Sequence, residues 1–222
     1  METLIRQDAA TQIAIQTVLD SLAFLAAAAA RDKWYAAFLL SVEIGPRPNE
    51  TLALRWADVD FDNQSISISR SLYWPDGGGY EFTPCKTKRS NRTVTISTKV
   101  VEALRQHRRQ QLEHRLETGQ NYLDLDLVFA SEAGTPLSWK NLTRRHLKPL
   151  LLVAGITHEG VSLYTLRHTS ISLMLWAGVD ITVVAKIVGT SIAMIDKTYG
   201  HIPQSLQRTA TDRVATLLYA QG

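Results

Sequence analysis

The feature that most constrains the fold is a change of hydrophobic period after residue 58. Before it, apolar residues follow helical spacing, whereas residues 65–69 read SISIS and alternate with a period of two, as a half-buried strand does. The turn sequence PDGGG and two further extended stretches, YEF and RTVTI, follow closely. Short strands so near in sequence pair antiparallel. The chain is therefore predicted to be mixed and mainly α, with one small three-stranded antiparallel β-sheet.

Helices are predicted on both sides of this sheet from apolar spacing and from residues that begin or end helices. The predicted segments are 11–30, 33–44, Asn49 to about Arg55, Thr98 to near Gly119, Ser138 to before Gly155, 164–177, 180–188 and 191–198. No internal repeat or linker interrupts them. Residues 1–222 are therefore predicted to form a single domain.

Composition excludes several classes of protein. Hydrophobic residues make up 45% of the chain and charged residues 20%, as in ordinary globular proteins. No apolar run approaches a membrane span, and the first ten residues lack the basic start of a signal peptide. The single cysteine, Cys85, has no internal partner for a disulfide, which fits a reducing compartment. We expect a soluble, cytoplasmic protein with no membrane partner.

Positive charge is concentrated although the net charge is only +3. Residues 86–115 contain nine Lys and Arg but only two acidic residues. A second group at 140–148 contains four basic residues and no acid. Such local excess favours a surface that faces a polyanion, with a solvated helix face as the alternative.

Four motifs follow in order along the chain. They are GPRPNETLALRWADVDF (45–61), CKTKRSNRTVTIS (85–97), YTLRHTS (164–170) and GTSIAMIDKTYGHI (189–202). In this order they resemble the first arginine box, the β-hairpin, the second arginine box and the nucleophile segment of the tyrosine recombinases, or phage-type integrases. The resemblance implies the fold of a tyrosine recombinase catalytic domain, the DNA breaking-rejoining enzyme fold. It also implies site-specific DNA recombination and integration.

By this resemblance the Tyr199 oxygen attacks a DNA phosphodiester, forming a 3′-phosphotyrosine link and freeing a 5′-hydroxyl. Arg47 and Arg167 are implied to bind the non-bridging phosphate oxygens, which suits permanently charged guanidinium forks. Lys86 is implied to protonate the leaving 5′-oxygen, with Lys88 as the alternative on the same loop tip, or with both as simple phosphate contacts. One ester replaces another of similar energy, so no cofactor, ATP or metal is implied.

Two pocket positions depart from the family pattern. Tyr164 stands where the second arginine box usually begins with His or Lys, and Thr190 stands where the family usually has His or Trp. Either side chain can donate a hydrogen bond to a phosphate, but neither is a good base at neutral pH. His168 usually has a structural part in the family, with a catalytic part as the alternative, and His201 is expected to cap a helix or lie exposed. Glu50 orients the first arginine or stabilises a helix start.

Basic residues outside the pocket are predicted to bind DNA phosphates. They are Lys88, Arg89, Arg92, Arg105, Arg108, Arg109, Arg144 and Arg145. The implied partners are double-stranded DNA attachment or core sites and other recombinase protomers in a tetramer on DNA. The family's usual N-terminal core-binding domain is not expected, because the first arginine box begins at residue 45.

Two alternative functions stay open at the level of sequence. The departures at Tyr164 and Thr190 are compatible with a DNA-binding relative whose cleavage is impaired or lost. The same chemistry is also compatible with topoisomerase-like nicking and rejoining without exchange of partners. A covalent protein–DNA adduct separates the first alternative from a recombinase, and exchange between two sites separates the second.

Overall fold

A computed structural model describes residues 2–85, 87 and 89–200, with the backbone alone over residues 2–15. Its helices are α1 (Glu2–Arg31), α2 (Tyr35–Ile44), α3 (Pro48–Thr51), α4 (Thr98–Thr118), α5 (Trp139–Leu142), α6 (Lys148–Val153), α7 (Leu163–Trp176), α8 (Ile181–Val188) and α9 (Ile192–Tyr199). Its strands are β1 (Val59–Asp60), β2 (Ser65–Ile68), β3 (Arg70–Tyr73), β4 (Glu81–Pro84) and β5 (Arg92–Thr95). A π-helical turn, Thr143–Leu147, joins α5 to α6. Within these described ranges, no helix combines the length and the apolar character needed to cross a bilayer.

Helix α2 forms the centre of the larger hydrophobic core. It is apolar on all sides, and α1, α4 and α7 pack around it, so that side chains such as Phe38 and Leu40 are fully buried. The helix ends at Gly45, whose φ of 57° is left-handed. A Cβ at Gly45 would lie 2.9 Å from the Ser170 hydroxyl oxygen of α7. This close approach fixes the segment after α2, which carries Arg47, against α7.

Two small antiparallel sheets lie beside this core. The three-stranded sheet has the order β1–β2–β5, with Ile66 of β2 opposite Val94 of β5. The prediction of a three-stranded antiparallel sheet is thus confirmed, but its membership differs. The YEF stretch forms β4, which pairs with β3 in a separate hairpin that places Phe82 opposite Leu72. The glycine-rich turn at 77–79 joins β4 to β3, the strand directly before it. Strand β3 was not predicted from the sequence.

The helix boundaries differ from prediction at two places. Helix α1 begins at Glu2 rather than near residue 11, and α3 ends at Thr51 rather than near Arg55. After Thr51 the chain tightens, with the Leu54 amide donating to the Thr51 carbonyl at 3.3 Å. Arg55 then forms an antiparallel bridge with Leu127. An extended residue in a bridge cannot continue a helix, which explains the shorter α3.

A second, smaller core joins the last three described helices. Its buried members are Ile171, Leu175, Val184, Ala185, Val188, Ile195 and Tyr199. The Asp180 side chain accepts the Thr182 amide at the start of α8, and the Ser191 side chain accepts the Met194 amide at the start of α9. Packing and caps together fix the direction of α9, which ends at Tyr199.

Candidate active site

Arg47 lies directly before α3 and is held by its own helix. Glu50, which is only 3% exposed, accepts the Arg47 backbone N–H at 3.0 Å and its Nη1 at 2.7 Å. The Nη2 atom of Arg47 donates to the Gly189 carbonyl at 3.0 Å. Glu50 therefore orients the arginine and caps the helix start at the same time, which combines both alternatives drawn from the sequence.

Arg167 of α7 also binds the end of α8, at the carbonyl directly before the one that Arg47 binds. It is buried, and its Nη1 donates to the Gly45 carbonyl at 2.6 Å and to the Val188 carbonyl at 2.7 Å. Burial, and then the positive charge of Arg47, lowers the pKa of Arg167 to about 10. The guanidinium is still charged at neutral pH. Its Nε and Nη2 have no hydrogen-bond acceptor among the described residues, so they are free to bind an anion.

Arg92, one of the predicted DNA contacts, is bonded inside the protein. Its side chain is only 6% exposed, and all three guanidinium nitrogens are bonded inside the protein. Nε donates to the Ile187 carbonyl at 2.6 Å, Nη1 to the Ser90 carbonyl at 2.8 Å and Nη2 to Glu50 at 3.0 Å. Three of its five N–H groups are thus used inside the protein, and the buried side chain presents little to a DNA phosphate, so the predicted contact stays a prediction. The strand period gave a signal for this burial, because Arg92 shares a face of β5 with the buried Val94.

Tyr199 contacts His168, which was expected from the sequence to be structural. The Tyr199 hydroxyl is hydrogen-bonded to Nδ1 of His168, and the two ring centroids are 5.9 Å apart. His168 follows Arg167 directly on α7, whereas Tyr199 is the last residue of α9. No sequence signal pairs these two helices, because their contact depends on how α7, α8 and α9 pack.

The pKa shifts of this pair fix its resting protonation states, with the proton on the tyrosine, and both shifts oppose its transfer to the histidine before the tyrosine oxygen bonds to phosphorus. Burial raises the pKa of Tyr199, and the charge of Arg167 opposes that rise, so the hydroxyl is protonated at neutral pH. Burial, and then Arg167, lowers the pKa of His168, so the imidazole is neutral there. A neutral imidazole whose Nδ1 carries no hydrogen accepts the Tyr199 O–H.

Tyr164 and Thr190 are the two unusual residues, and they lie in the first turn of α7 and directly after Gly189. Tyr164 is 40% exposed, and its ring meets that of Trp139 edge-to-face at 5.8 Å between centroids. Thr190 follows α8 and its amide donates to the Ala185 carbonyl at 3.1 Å. Neither side-chain oxygen has a hydrogen-bond partner within the described ranges. Their part in binding phosphate stays a prediction.

Three of the predicted site residues lie outside the described part of the chain: Lys86, Lys88 and His201. The described remainder of the loop between β4 and β5 lies beside Arg47. The Thr87 and Ser90 hydroxyls are 2.9 Å apart, and Ser90 is buried with its oxygen 3.4 Å from Arg47 Nη1. The loop with the predicted general acid therefore begins and ends close to the pocket.

The remaining basic residues predicted to contact DNA are exposed: Arg89, Arg105, Arg108, Arg109, Arg144 and Arg145. On α4 the guanidinium of Arg105 lies over the Phe61 ring at 5.3 Å, and that of Arg108 lies over the Trp56 ring at 5.2 Å. These cation–π contacts fix both side chains without neutralising them. Two charges are thereby held in place on one surface.

This surface of α4 is separate from the pocket. Ser97, before α4, bonds Glu43 near the end of α2, whereas His107 bonds the Lys33 carbonyl before the start of α2. The two helices are therefore antiparallel. Arg105 lies near the start of α2, about 15 Å along a ten-residue helix from the end that precedes Arg47.

The charged groups of the pocket suit an anion better than a metal. Among the residues that the structure describes, no cluster of three or more His, Cys, Asp or Glu side chains could hold a metal ion. Three guanidiniums and one carboxylate meet instead, an excess of positive charge that matches a phosphate diester. The expectation that no cofactor is needed stays a prediction.

Helices around small antiparallel sheets, with two arginines bonded at the end of α8 and a tyrosine at the end of α9, define a tyrosine recombinase catalytic domain. Solved structures of this class share the fold. The Tn1549 transposon integrase in complex with transposon right end DNA superposes with a TM-score of 0.70 at 21% identity, over 87% of this chain and 63% of that chain. XerA recombinase gives a TM-score of 0.64 at 22% identity, over 87% and 61%.

The chain belongs to the phage integrase family, whose model matches residues 10–205. It is 29% identical over 194 residues to the XerC-like tyrosine recombinase of Caldanaerobacter subterraneus subsp. tengcongensis, covering 82% of this chain and 48% of that protein. It is 30% identical over 175 residues to the ICEBs1 integrase of Bacillus subtilis, covering 78% and 46%. The chain thus spans about half the length of the curated relatives it matches.

Proposed function

We propose that this chain is the catalytic domain of a site-specific recombinase that cleaves and rejoins DNA through a 3′-phosphotyrosine link at Tyr199. The observation that carries the proposal is the convergence at the end of α8. Arg167 and Arg47 bind the successive carbonyls of Val188 and Gly189, and the helix that follows ends at Tyr199. Two proposed phosphate-binding arginines are thereby bonded to the chain just before the helix that carries the proposed nucleophile.

The two arginines supply the electrostatic part of the mechanism. Nε and Nη2 of Arg167 lack acceptors among the described residues, and the Arg47 side chain is 35% exposed, so both can donate to a phosphate. Negative charge grows on the non-bridging oxygens as the tyrosine attacks. Donors fixed in advance by Glu50 and by backbone carbonyls stabilise that charge without having to reorganise.

Tyr164 and Thr190 are poor bases at the two pocket positions where this chain departs from the family pattern. His168 takes the role of proton acceptor instead. As the Tyr199 oxygen bonds to phosphorus, its proton passes along the existing hydrogen bond to Nδ1 of His168. The bond from phosphorus to the 5′-oxygen breaks, and Lys86 gives that oxygen a proton. An imidazolium beside Arg167 is disfavoured, so His168 returns its proton readily when a 5′-hydroxyl attacks the link.

The substrates and partners that we propose follow from this chemistry. The substrate is double-stranded DNA carrying an attachment or core site, and exchange between two duplexes requires a tetramer of recombinase protomers. The relatives support this, since the Tn1549 transposon integrase was solved in complex with transposon right end DNA. A protein that acts on DNA in this way belongs in the bacterial cytoplasm or nucleoid.

The test is a denaturing gel of the protein with a nicked suicide duplex that carries its own attachment site. After cleavage, the short fragment between the cleaved bond and the nick dissociates, and its 5′-hydroxyl can no longer reverse the reaction. A recombinase therefore yields a covalent protein–DNA band. A second duplex then tests for exchanged strands. No band would assign the chain to the DNA-binding alternative, and a band without exchange would assign it to nicking and rejoining.

A further inference from the structure

Three arginines from three different elements bind three successive carbonyls at the end of α8. The Ile187 carbonyl accepts Arg92 Nε at 2.6 Å, and the Val188 carbonyl accepts Nη1 of the α7 arginine at 2.7 Å. The Gly189 carbonyl accepts Nη2 of the arginine before α3 at 3.0 Å. The last carbonyls of a helix have no partner within the helix and carry its negative end, so guanidiniums are favoured there. We call this group, with Glu50, the arginine clasp.

Arg92 differs from the other two members of the clasp because, among the described residues, each of its three guanidinium nitrogens bonds the protein. Its second and third nitrogens bond the Ser90 carbonyl and Glu50, and its side chain is 6% exposed. Glu50 in turn bonds Arg47 through its other oxygen. Arg92 is therefore connected to a phosphate-binding arginine through a shared buried carboxylate.

Gly189 shows how closely Arg92 holds the end of α8. A Cβ at this glycine would lie 2.5 Å from Arg92 Nη1, and its φ of 67° is left-handed. Immediately beyond it, Ser191 caps α9, which runs to Tyr199. On its other side, Arg92 begins β5, directly after the loop that contains Lys86 in the sequence.

We propose that Arg92 is a positioning residue that ties the loop before β5 to the start of the nucleophile helix, and that it holds Arg47 in register with both. The loss of Arg92 leaves the buried Glu50 with one partner fewer and frees the Ile187 carbonyl. The end of α8 then loosens, and α9 with Tyr199 loosens with it. The catalytic consequence rests on the proposed function, whereas the effect on α8 and α9 does not.

The first experiment measures hydrogen exchange at the backbone amides of residues 189–200 and needs no DNA. Arg92→Gln should raise exchange there by about tenfold or more, because local opening of the variant no longer has to break the hydrogen bonds that Arg92 makes. The matched control is Arg70→Gln. Arg70 is also a strand arginine paired with a carboxylate, Asp58, but within the described ranges it contacts neither α8 nor Glu50. An unchanged exchange pattern in the Arg92 variant, or an equal rise in the control, overturns the proposal.

The second experiment measures the single-turnover rate of the covalent adduct together with DNA affinity. Arg92→Gln should slow adduct formation by up to about 10²-fold with little change in DNA affinity, because misplacement affects the reaction more than the binding. Arg92→Lys keeps the charge beside Glu50 and should recover part of the rate. In an Arg47→Ala background the effect of Arg92→Gln should shrink, because part of it acts through Arg47.

The two experiments separate the failure of this inference from the failure of the proposed function. If the wild-type protein forms no adduct on its site, the proposed function is wrong, and hydrogen exchange alone decides whether Arg92 positions α9. If the wild type forms the adduct, fully additive effects of the Arg92 and Arg47 variants, or a variant rate equal to that of wild type, overturn the positioning role.

Discussion

The three arginines at the end of α8 differ in exposure, and the difference decides what each can do. Arg47 is 35% exposed and touches the protein through Glu50 and one carbonyl, so most of its binding capacity faces outward. Arg167 is buried but keeps two nitrogens without an acceptor among the described residues, whereas every guanidinium nitrogen of Arg92 has one. The three arginines therefore range from Arg47, which can contact a substrate, to Arg92, which supports the protein interior.

This series predicts different outcomes for two alanine variants. Arg47→Ala should remain folded and lose about 10²–10³ in cleavage rate, the usual cost of one fixed donor in the transition state. Arg167→Ala should lose a similar factor and also lower the free energy of unfolding by about 1–3 kcal/mol, because two carbonyls lose their donor. Urea unfolding and single-turnover cleavage measure both. Equal stabilities of the two variants would contradict the assignment.

The pair of His168 and Tyr199 predicts a pH dependence with a definite sign. Because the pKa of His168 lies below its ordinary value of about 6.5, cleavage should be flat from pH 8 to about 6.5 and fall at lower pH as Nδ1 is protonated. His168→Gln can accept the hydrogen bond but not the proton, so it should lower the rate by about 10²–10⁴ and abolish this fall. The same fall in the variant would exclude His168 as the acceptor.

Folding stability must be followed over the same range of pH. The unfolded chain binds a proton at His168 at a higher pH than the native state does, so the free energy of unfolding also decreases as the pH drops below about 6.5. Circular dichroism at each pH separates loss of fold from loss of chemistry. Only rates from conditions where both proteins are folded bear on the assignment.

At the scale of elements, our proposal assigns DNA binding to α4 and chemistry to α7–α9. Helix α4 displays Arg105 and Arg108 on aromatic supports near the start of α2. The pocket lies at the other end of α2, where α3, α7 and α8 meet. A DNA duplex that spans both ends of α2 would contact α4 well away from the cleaved bond.

This division predicts that α4 controls affinity and its dependence on salt. Replacing Arg105, Arg108 and Arg109 together by Gln should reduce the slope of log K against log salt by about 0.9 for each lost phosphate contact. Glutamine keeps part of the contact with the rings, so the fold should survive. Binding titrations at several salt concentrations give the slope, with Arg115→Gln, whose partner is Asp124, as the control. A slope unchanged in the triple variant would return α4 to the solvated-face alternative.

At the scale of the whole molecule, sequence patterns predicted most elements because helical and strand periods are local properties. The predicted bounds of α4, α7, α8 and α9 lie close to those observed. The β3–β4 hairpin was missed because residues 70–73 are short and lack a clear alternation. Local patterns therefore define the elements better than they define how strands pair.

The candidate site was less predictable because it depends on contacts between distant segments. The motifs named the arginines and the tyrosine, but the bond between His168 and Tyr199 joins helices whose packing no local pattern gives. Arg92 was predicted to contact DNA because its neighbours are basic, whereas the strand period alone places it on the buried face of β5. Charge clustering alone does not separate exposed arginines from buried ones.

The most direct test of the central claim is to locate the DNA on the protein. After reaction with the suicide duplex and nuclease trimming, trypsin should release the peptide that follows Lys197, whose only tyrosine is Tyr199, carrying the added nucleotide mass. Tyr199→Phe should bind the duplex as wild type does and form no adduct, while Tyr122→Phe, the same change at a loop tyrosine, should form it normally. Nucleotide mass on any other peptide, or an adduct in the Tyr199 variant, would contradict the assignment of Tyr199 as the nucleophile.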